Sequence, residues 1–278
     1  MSALAVGADI AQSVAANALL HPWHRPMVDP APEGCETTTF DGFHVTLSAW
    51  RCRPAGQPRA TVVLLHGVAD NRASWRPTIE RFTRTGFEVV AYDSRAHGLS
   101  TGDACTYGFF EKRDLRRVLD AVRPTRVVLI GTSLGAAIAL QEAAGDSRIS
   151  AVVAAETFSD LRTVAAERVP YAPRAIVDRA FETAEARASF VADDVSPVHA
   201  AARITAPVLV IHGADDVDTV PEHSRRVYTA LAGPKRLLLV PGGHNHSLGS
   251  AQVWTEIDRW IEQALGVQSE SGPNRFAM

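Results

Sequence analysis

Six short β-branched runs, each separated from the next by an amphipathic or alanine-rich stretch, constrain this chain more than any other feature. The runs are TVVLLH (61 to 66), EVVAYD (88 to 93), RVVLIG (126 to 131), SAVVAA (150 to 155), PVLVIH (207 to 212) and KRLLLV (235 to 240). They are near-continuously apolar rather than alternating, as expected of strands buried on both faces. Between them lie helix-like segments such as RASWRPTIERFTRT, EKRDLRRVLDAV, SLGAAIALQEAA and PEHSRRVYTALA, and AQVWTEIDRWIEQAL follows the last run. Alternation of this kind predicts a mostly parallel central sheet with helices on both faces. Ahead of it, CETTTFDG and FHVTLSAWRC alternate about Asp41-Gly42, which predicts an antiparallel hairpin at the sheet edge.

The 278 residues suffice for a sizeable core. With 46% hydrophobic and 21% charged residues and a net charge of −3, the balance is that of a soluble globular protein. There is no basic tract, so a nucleic-acid partner is not expected. Cys35, Cys52 and Cys105 are odd in number, widely spaced and without a CxxC pair. They suggest neither a disulfide framework nor a zinc site, and a reducing cytoplasm is the expected location. Residues 2 to 20 are rich in Ala, Leu and Val, but no Lys or Arg precedes Arg25, and Asp9, Gln12 and Asn17 interrupt the run. A signal peptide or membrane span is therefore not expected. The segment reads as a helix that buries the stripe Val6, Ile10, Val14, Ala18 on the body, with peripheral membrane contact as the alternative.

In a parallel sheet, chemistry gathers at the C-terminal ends of the strands. Ser133 follows the third run as Gly131-Thr132-Ser133-Leu134-Gly135, a serine at a strand-to-helix junction with a glycine two residues to either side. Small neighbours let strand and helix approach closely, and the turn holds the hydroxyl above the sheet edge. The segment lacks GxGxxG and GxxxxGK[ST], which disfavours a nucleotide loop. A serine needs a base and the base needs an orienting carboxylate, expected in the chain order Ser, Asp or Glu, His. The chain offers Ser133, Asp216 and His244, each after a core strand.

At this point the sequence resembles the α/β-hydrolase superfamily over about residues 35 to 265, through VVLLHGVADN, YDSRAHGLS, GTSLGA, VLVIHGADDVDTVP and VPGGHNHSL. It is similar to the short-cap bacterial serine hydrolases grouped with S33-type peptidases and esterases, a closer likeness carried by DSRAHGLSTGDACTYGFFEKRD and HSRRVYTAL. The resemblance implies Ser133 as nucleophile and His244 as general base, with His246 the rival. Three aspartates compete for the acid, and the family's spacing from Gly213 favours Asp216 over Asp218 and Asp215. The oxyanion hole would be the N–H groups of Val68 and Leu134. The implied activity is hydrolysis of a small-molecule carboxylic ester through an acyl-enzyme, with no metal or organic cofactor; a peptidase, a thioesterase and a hydrolase-fold binding protein are the alternatives.

The expected organisation is an N-terminal helix and linker (1–30), a core in two parts (31–155 and 207–265), a helical cap (156–206) and a flexible tail (266–278). Within the cap, TFSDLRTVAAERVP and RAIVDRAFETAEARASFV read as helices separated by Pro170 and Pro173. Trp75, Tyr107, Phe158 and Tyr171 are the expected substrate-pocket residues, although such apolar groups also build cores. His66, His97 and His212 each precede a glycine and are expected to organise loops. His21 and His24 have no companion carboxylate or cysteine cluster, so a metal there is not expected. Asp216-Val217-Asp218-Thr219-Val220 fits the D-x-D-x-[TV] pattern of the haloacid-dehalogenase superfamily, but that pattern belongs at a first strand and leaves the serine turn unexplained.

Overall fold

A computed structural model of the chain describes residues 3–266, with side chains from Ile10 onward. The six apolar runs form strands β3 (Thr61–Leu65), β4 (Glu88–Tyr92), β5 (Val127–Thr132), β6 (Ile149–Ala155), β7 (Val208–Gly213) and β8 (Lys235–Val240), preceded by β1 (Cys35–Asp41) and β2 (Thr46–Cys52). They make one eight-stranded sheet in the order β1-β2-β4-β3-β5-β6-β7-β8. β1, β2 and β4 pair antiparallel, and the pairs from β4 through β8 are parallel. All of β3, β4 and β7 is buried, which accounts for their unbroken apolar sequences.

Helices cover both faces. The face carrying Val63, Leu129, Val152 and Val210 packs on α3 (Glu111–Val122), α4 (Leu134–Ala143) and α8 (Glu222–Ala230). The face carrying Val62, Ile130, Val153 and Ile211 packs on α2 (Arg76–Arg84) and α9 (Ala251–Ala264), through Ile79, Phe82, Val253, Ile257 and Ile261. Every residue of α4 is buried. A helix enclosed on all sides cannot be amphipathic, and its alanines let it sit close to the sheet. Each Leu or Ile of these faces contributes about 1.5–3 kcal/mol by leaving water.

The β1–β2 hairpin closes over residues 42 to 45, with Gly42 N–H donating to Val45 O at 2.8 Å and His44 at φ 59°. Its register sets Cys35 opposite Cys52, and these two form a disulfide with their Cα atoms 4.3 Å apart. The expectation of three unpaired cysteines is therefore corrected. Spacing in sequence does not disclose a cross-strand pair that only the register creates. The argument for a reducing compartment falls with it, while Cys105 is free and buried.

The N-terminal helix α1 (Ala3–Leu20) also departs from expectation. Ile10 and Val14 are 59% and 63% exposed and Ala18 is exposed, whereas Ala16 and Leu20 are buried; the Val6 side chain lies outside the described residues. The buried face is set by α5 (Leu161–Arg168) and α6 (Arg174–Ala188), which lie between β6 and β7 with the short α7 (Pro197–Ala201). Ala16 and Leu20 join Phe158, Leu161, Val164 and Phe181 in a separate apolar cluster, and Arg187 of α6 donates to Ser13 Oγ at 2.6 Å. An alanine-rich helix offers competing stripes, and Ala16 fits closer to α6 than a branched residue would. Among the described residues no helix is long and apolar enough to cross a membrane. Of the expected tail, 266–278, all but Gly266 lies outside the described residues.

Titration of the denatured, unreduced protein with a thiol reagent should find one thiol, Cys105, against three if Cys35 and Cys52 are unpaired. Cys35→Ser with Cys52→Ser should lower unfolding free energy by about 1–3 kcal/mol in urea titrations, below the roughly 3 kcal/mol expected for a loop of this length because the hairpin already holds the two strands together.

Candidate active site

Ser133 sits between β5 and α4 with φ 50° and ψ −114°, outside the regions favoured by residues with a side chain. Two contacts hold it there. Its N–H donates to Ala155 O of β6 at 2.8 Å, and the glycines on either side permit a backbone approach that no other residue allows. A methyl group on Gly131 would overlap the carbonyl of Gly135, and one on Gly135 would overlap the carbonyl of Leu65. The Ser133 hydroxyl makes no helix-capping hydrogen bond. It points instead to His244, whose Nε2 lies 3.1 Å away.

His244 stands in the loop after β8, and its Nδ1 lies 2.7 Å from Asp216 Oδ2. Asp216 is held from several sides. Its Oδ1 accepts from the N–H groups of Asp218 and Thr219, both at 2.9 Å, and His212 Nε2 lies 3.2 Å from Oδ2. Burial opposes ionisation of this carboxyl, but hydrogen bonds from His212, His244 and the Thr219 backbone outweigh it and hold the group well below the usual carboxylate range. Neither neighbouring aspartate takes that position: Asp215 Oδ2 accepts from Gly242 N–H at 3.1 Å, and Asp218 is exposed and lines the cavity. His246 is turned away, with Nδ1 2.8 Å from the His244 carbonyl.

The loop after β3 passes directly over the serine; a Cβ on Gly67 would stand 3.5 Å from Ser133 Cβ. His66 fixes the Gly67–Val68 peptide. Its Nε2 accepts from Ser94 N–H at 3.0 Å, which leaves the proton on Nδ1, 2.8 Å from Gly67 O. In a trans peptide the N–H is antiparallel to the C=O, so anchoring the Gly67 carbonyl on one side turns Val68 N–H to the other. Leu134 N–H belongs to the first turn of α4, where helix N–H groups lack intrahelical acceptors. His97 braces the same loop, with its two ring nitrogens 2.8 Å from the carbonyl oxygens of Arg95 and Val68. His212 lies 2.6 Å from Ser224 Oγ and 2.7 Å from Thr219 O. All three histidines that precede glycines thus hold loops.

Ser133 and His244 open into a cavity of about 850 Å³ whose wall includes Val68, Trp75, Thr78, Arg168, Leu248 and Trp254. Of the aromatic residues expected there, Trp75 is in the wall. Tyr107, Phe158 and Tyr171 are not, and the expectation is corrected for them. Tyr107 donates its hydroxyl to Leu19 O at 3.0 Å, Phe158 packs in the cluster shared by α1, α5 and α6, and Tyr171 is 98% exposed. Sequence reasoning missed Arg168, at the end of α5, which donates to Asp218 O and Thr219 Oγ1, both at 3.3 Å, and so ties α5 to the loop holding Asp216. It also missed Glu156, which is fully buried beside His244. The position of Glu156 directly after β6, at the same end of the sheet as the other groups, was the available signal. Among the described residues no group of three His, Cys, Asp or Glu side chains is arranged to hold a metal ion.

An eight-stranded, mostly parallel sheet with a strained serine turn after its fifth strand defines an α/β hydrolase, and residues 60–189 match the α/β-hydrolase fold family. The chain is 30% identical over 230 residues to the uncharacterized protein YfhR of Escherichia coli, covering 78% of this chain and 75% of that one. It belongs to the α/β-hydrolase family. Among solved structures it is similar to the Pyrococcus furiosus esterase Pf2001, with a TM-score of 0.70 and 22% identity over 87% of this chain and 100% of that one. It is also similar to an acetyl xylan esterase from Paenibacillus sp. R4, with a TM-score of 0.68 and 21% identity over 93% of each chain.

His66 generates a pH dependence. Burial, reinforced by the nearby His97, lowers it from 6.5 to about 4. The unfolded chain therefore takes up a proton that the native state resists, so the stability present above pH 6.5 is lost as pH falls toward 4. Urea unfolding should show His66 costing about 2–3 kcal/mol between pH 7.5 and 4.5. His66→Gln, which can both donate to Gly67 O and accept from Ser94 N–H, should have a correspondingly flatter profile; equal slopes would refute the assignment.

Proposed function

We propose that the protein is a serine hydrolase of small carboxylic esters, with Ser133 as nucleophile, His244 as general base and Asp216 as the orienting acid. The observation that carries this reading is the chain of contacts from Ser133 Oγ to His244 Nε2 at 3.1 Å and from His244 Nδ1 to Asp216 Oδ2 at 2.7 Å, opening into one cavity. Ser133 Oγ attacks the acyl carbon as its proton passes to His244 Nε2, and Asp216 stabilises the imidazolium. The oxyanion is received by Val68 N–H and Leu134 N–H. Collapse expels the alcohol, which takes the proton from His244. Water then attacks the acyl-enzyme with His244 again as base, releasing the acid and restoring Ser133.

The segment between β6 and β7 acts in this reading as a cap, its Arg168 reaching into the cavity wall. Trp75, Leu248, Trp254 and Val68 give part of the wall an apolar character, and each methylene of an acyl chain buried there would contribute about 0.8 kcal/mol. Short to medium acyl chains are the expected preference. Peripheral membrane contact, the alternative role of α1, would run through Ile10 and Val14, which face outward.

A panel of p-nitrophenyl esters of increasing acyl length, run beside aminopeptidase and thioester substrates, tests the reading. Ester turnover should dominate, rise over short chains and fall beyond medium length. Ser133→Ala should fold normally and lose both turnover and labelling by a fluorophosphonate. A peptide or thioester preference would move the activity within the serine hydrolases, and labelling of another serine would reject the nucleophile.

A further inference from the structure

Glu156 has a setting that neither the fold nor the three residues above account for. It follows β6 in the left-handed region, at φ 56°, with its N–H donating to Ile211 O of β7 at 2.8 Å. That strained backbone directs its side chain into the interior at the base of the cavity, where it is 0% exposed. Both carboxylate oxygens are engaged by the loop that carries His244: Oε2 accepts from Asn245 N–H at 2.6 Å and Oε1 from Ser247 N–H at 3.0 Å. Two N–H donors and no acceptor suit the ionised form, which can only accept. Among the described residues no Lys or Arg lies within ion-pair distance of it. The cationic partner within reach is the ring of His244, whose Nδ1 is 4.0 Å from Oε2, against 2.7 Å to Asp216.

We infer that Glu156 is a positioning residue for His244 and a second counter-charge for the imidazolium formed during turnover. The two roles follow from one placement. The paired backbone hydrogen bonds fix residues 245–247, so the ring just before them is delivered to Ser133 without rotation of its loop. A buried carboxylate 4.0 Å from Nδ1 also gains its partner only when His244 takes the serine proton, so its attraction favours the transition state over the resting state. Apart from Asp216, which faces the same nitrogen, the other charged groups nearby are directed elsewhere, and His212 faces Asp216. Asp70, Arg168 and Asp218 line the open cavity, Asp215 accepts from Gly242 N–H, and His246 touches the His244 carbonyl.

This inference rests on the proposed roles of Ser133, His244 and Asp216, and the test separates the two. Asp216→Asn should lower kcat by about three to four orders of magnitude. Glu156→Gln alone should lower kcat by about tenfold with KM nearly unchanged, as expected for a group acting on the transition state. The deciding quantity is the factor lost through Glu156→Gln in the Asp216→Asn background, which should exceed that in the native background because Glu156 is then the remaining carboxylate at His244. In that background Glu156→Asp, which keeps the charge, should retain more activity than Glu156→Gln, which keeps the size. An equal or smaller factor beside Asp216→Asn, or Asp no better than Gln, would reduce Glu156 to a structural clamp and overturn the inference. Loss of about three orders in Glu156→Gln with Asp216→Asn near native would overturn it too, by making Glu156 the sole acid. If Glu156→Gln does not fold, Glu156→Ala, which also removes the charge, run in both backgrounds measures the same ratio. Ser133→Ala stands apart: turnover surviving it would reject the underlying reading, whatever Glu156 does.

Discussion

The close approach of β5 and α4 at the Ser133 turn is the constraint on which the rest of the site depends. Positive φ at a serine costs of order 1–3 kcal/mol, and the fold meets that cost with a fully buried helix, a hydrogen bond to β6 and two positions without side chains. Because Gly135 lies against the Leu65 carbonyl, the end of β3 is brought beside the serine by the same contact. The loop carrying Gly67 and Val68 therefore has its location set by backbone packing, before any polar interaction refines it.

Around that fixed point the polar groups are layered. His244 touches the serine, Asp216 holds His244, and His212 with the backbone of residues 218 and 219 holds Asp216. His66 and His97 do for the β3 loop what His212 does for the loop after β7. Each of these histidines engages both of its nitrogens, His66 and His97 with two backbone groups and His212 with the Thr219 carbonyl and the Ser224 hydroxyl, a task for which a planar ring with a donor or acceptor at both edges is well shaped. Three loops from distant parts of the sequence are in this way brought into register at one end of the sheet.

Much of this was legible in the sequence because it depends on local pattern. The parallel strands announce themselves by apolar runs, and Ser133 by its glycines and its place between strand and helix. Asp216 was distinguishable from Asp215 and Asp218 only through the likeness to other hydrolases, since three carboxylates in four residues are chemically alike until a loop conformation selects one. What was not legible depends on register or on tertiary neighbours. The pairing of Cys35 with Cys52 requires the hairpin alignment. The buried face of α1 requires knowing that α6 is its partner. Phe158 and Tyr171 are alike as apolar aromatics, yet one is in a core and the other in solvent, because Phe158 lies between elements and Tyr171 on the turn joining two helices. Glu156 carried no motif at all, and only its position at a strand end distinguished it.

The packing of α1 also sets an order of events during synthesis. Ala16 and Leu20 emerge first, but their partners Phe158, Leu161 and Phe181 follow some 140 or more residues later. At ribosomal rates of about 5–20 residues per second, the helix waits roughly seven to thirty seconds without its binding surface. An alanine-rich sequence suits that interval: it offers a nascent chain little apolar area on which to aggregate, yet fits closely once α6 arrives. An element made well before its partners is thus among the last to dock, and it closes the apolar cluster beside the active site only after most of the sheet has been synthesised.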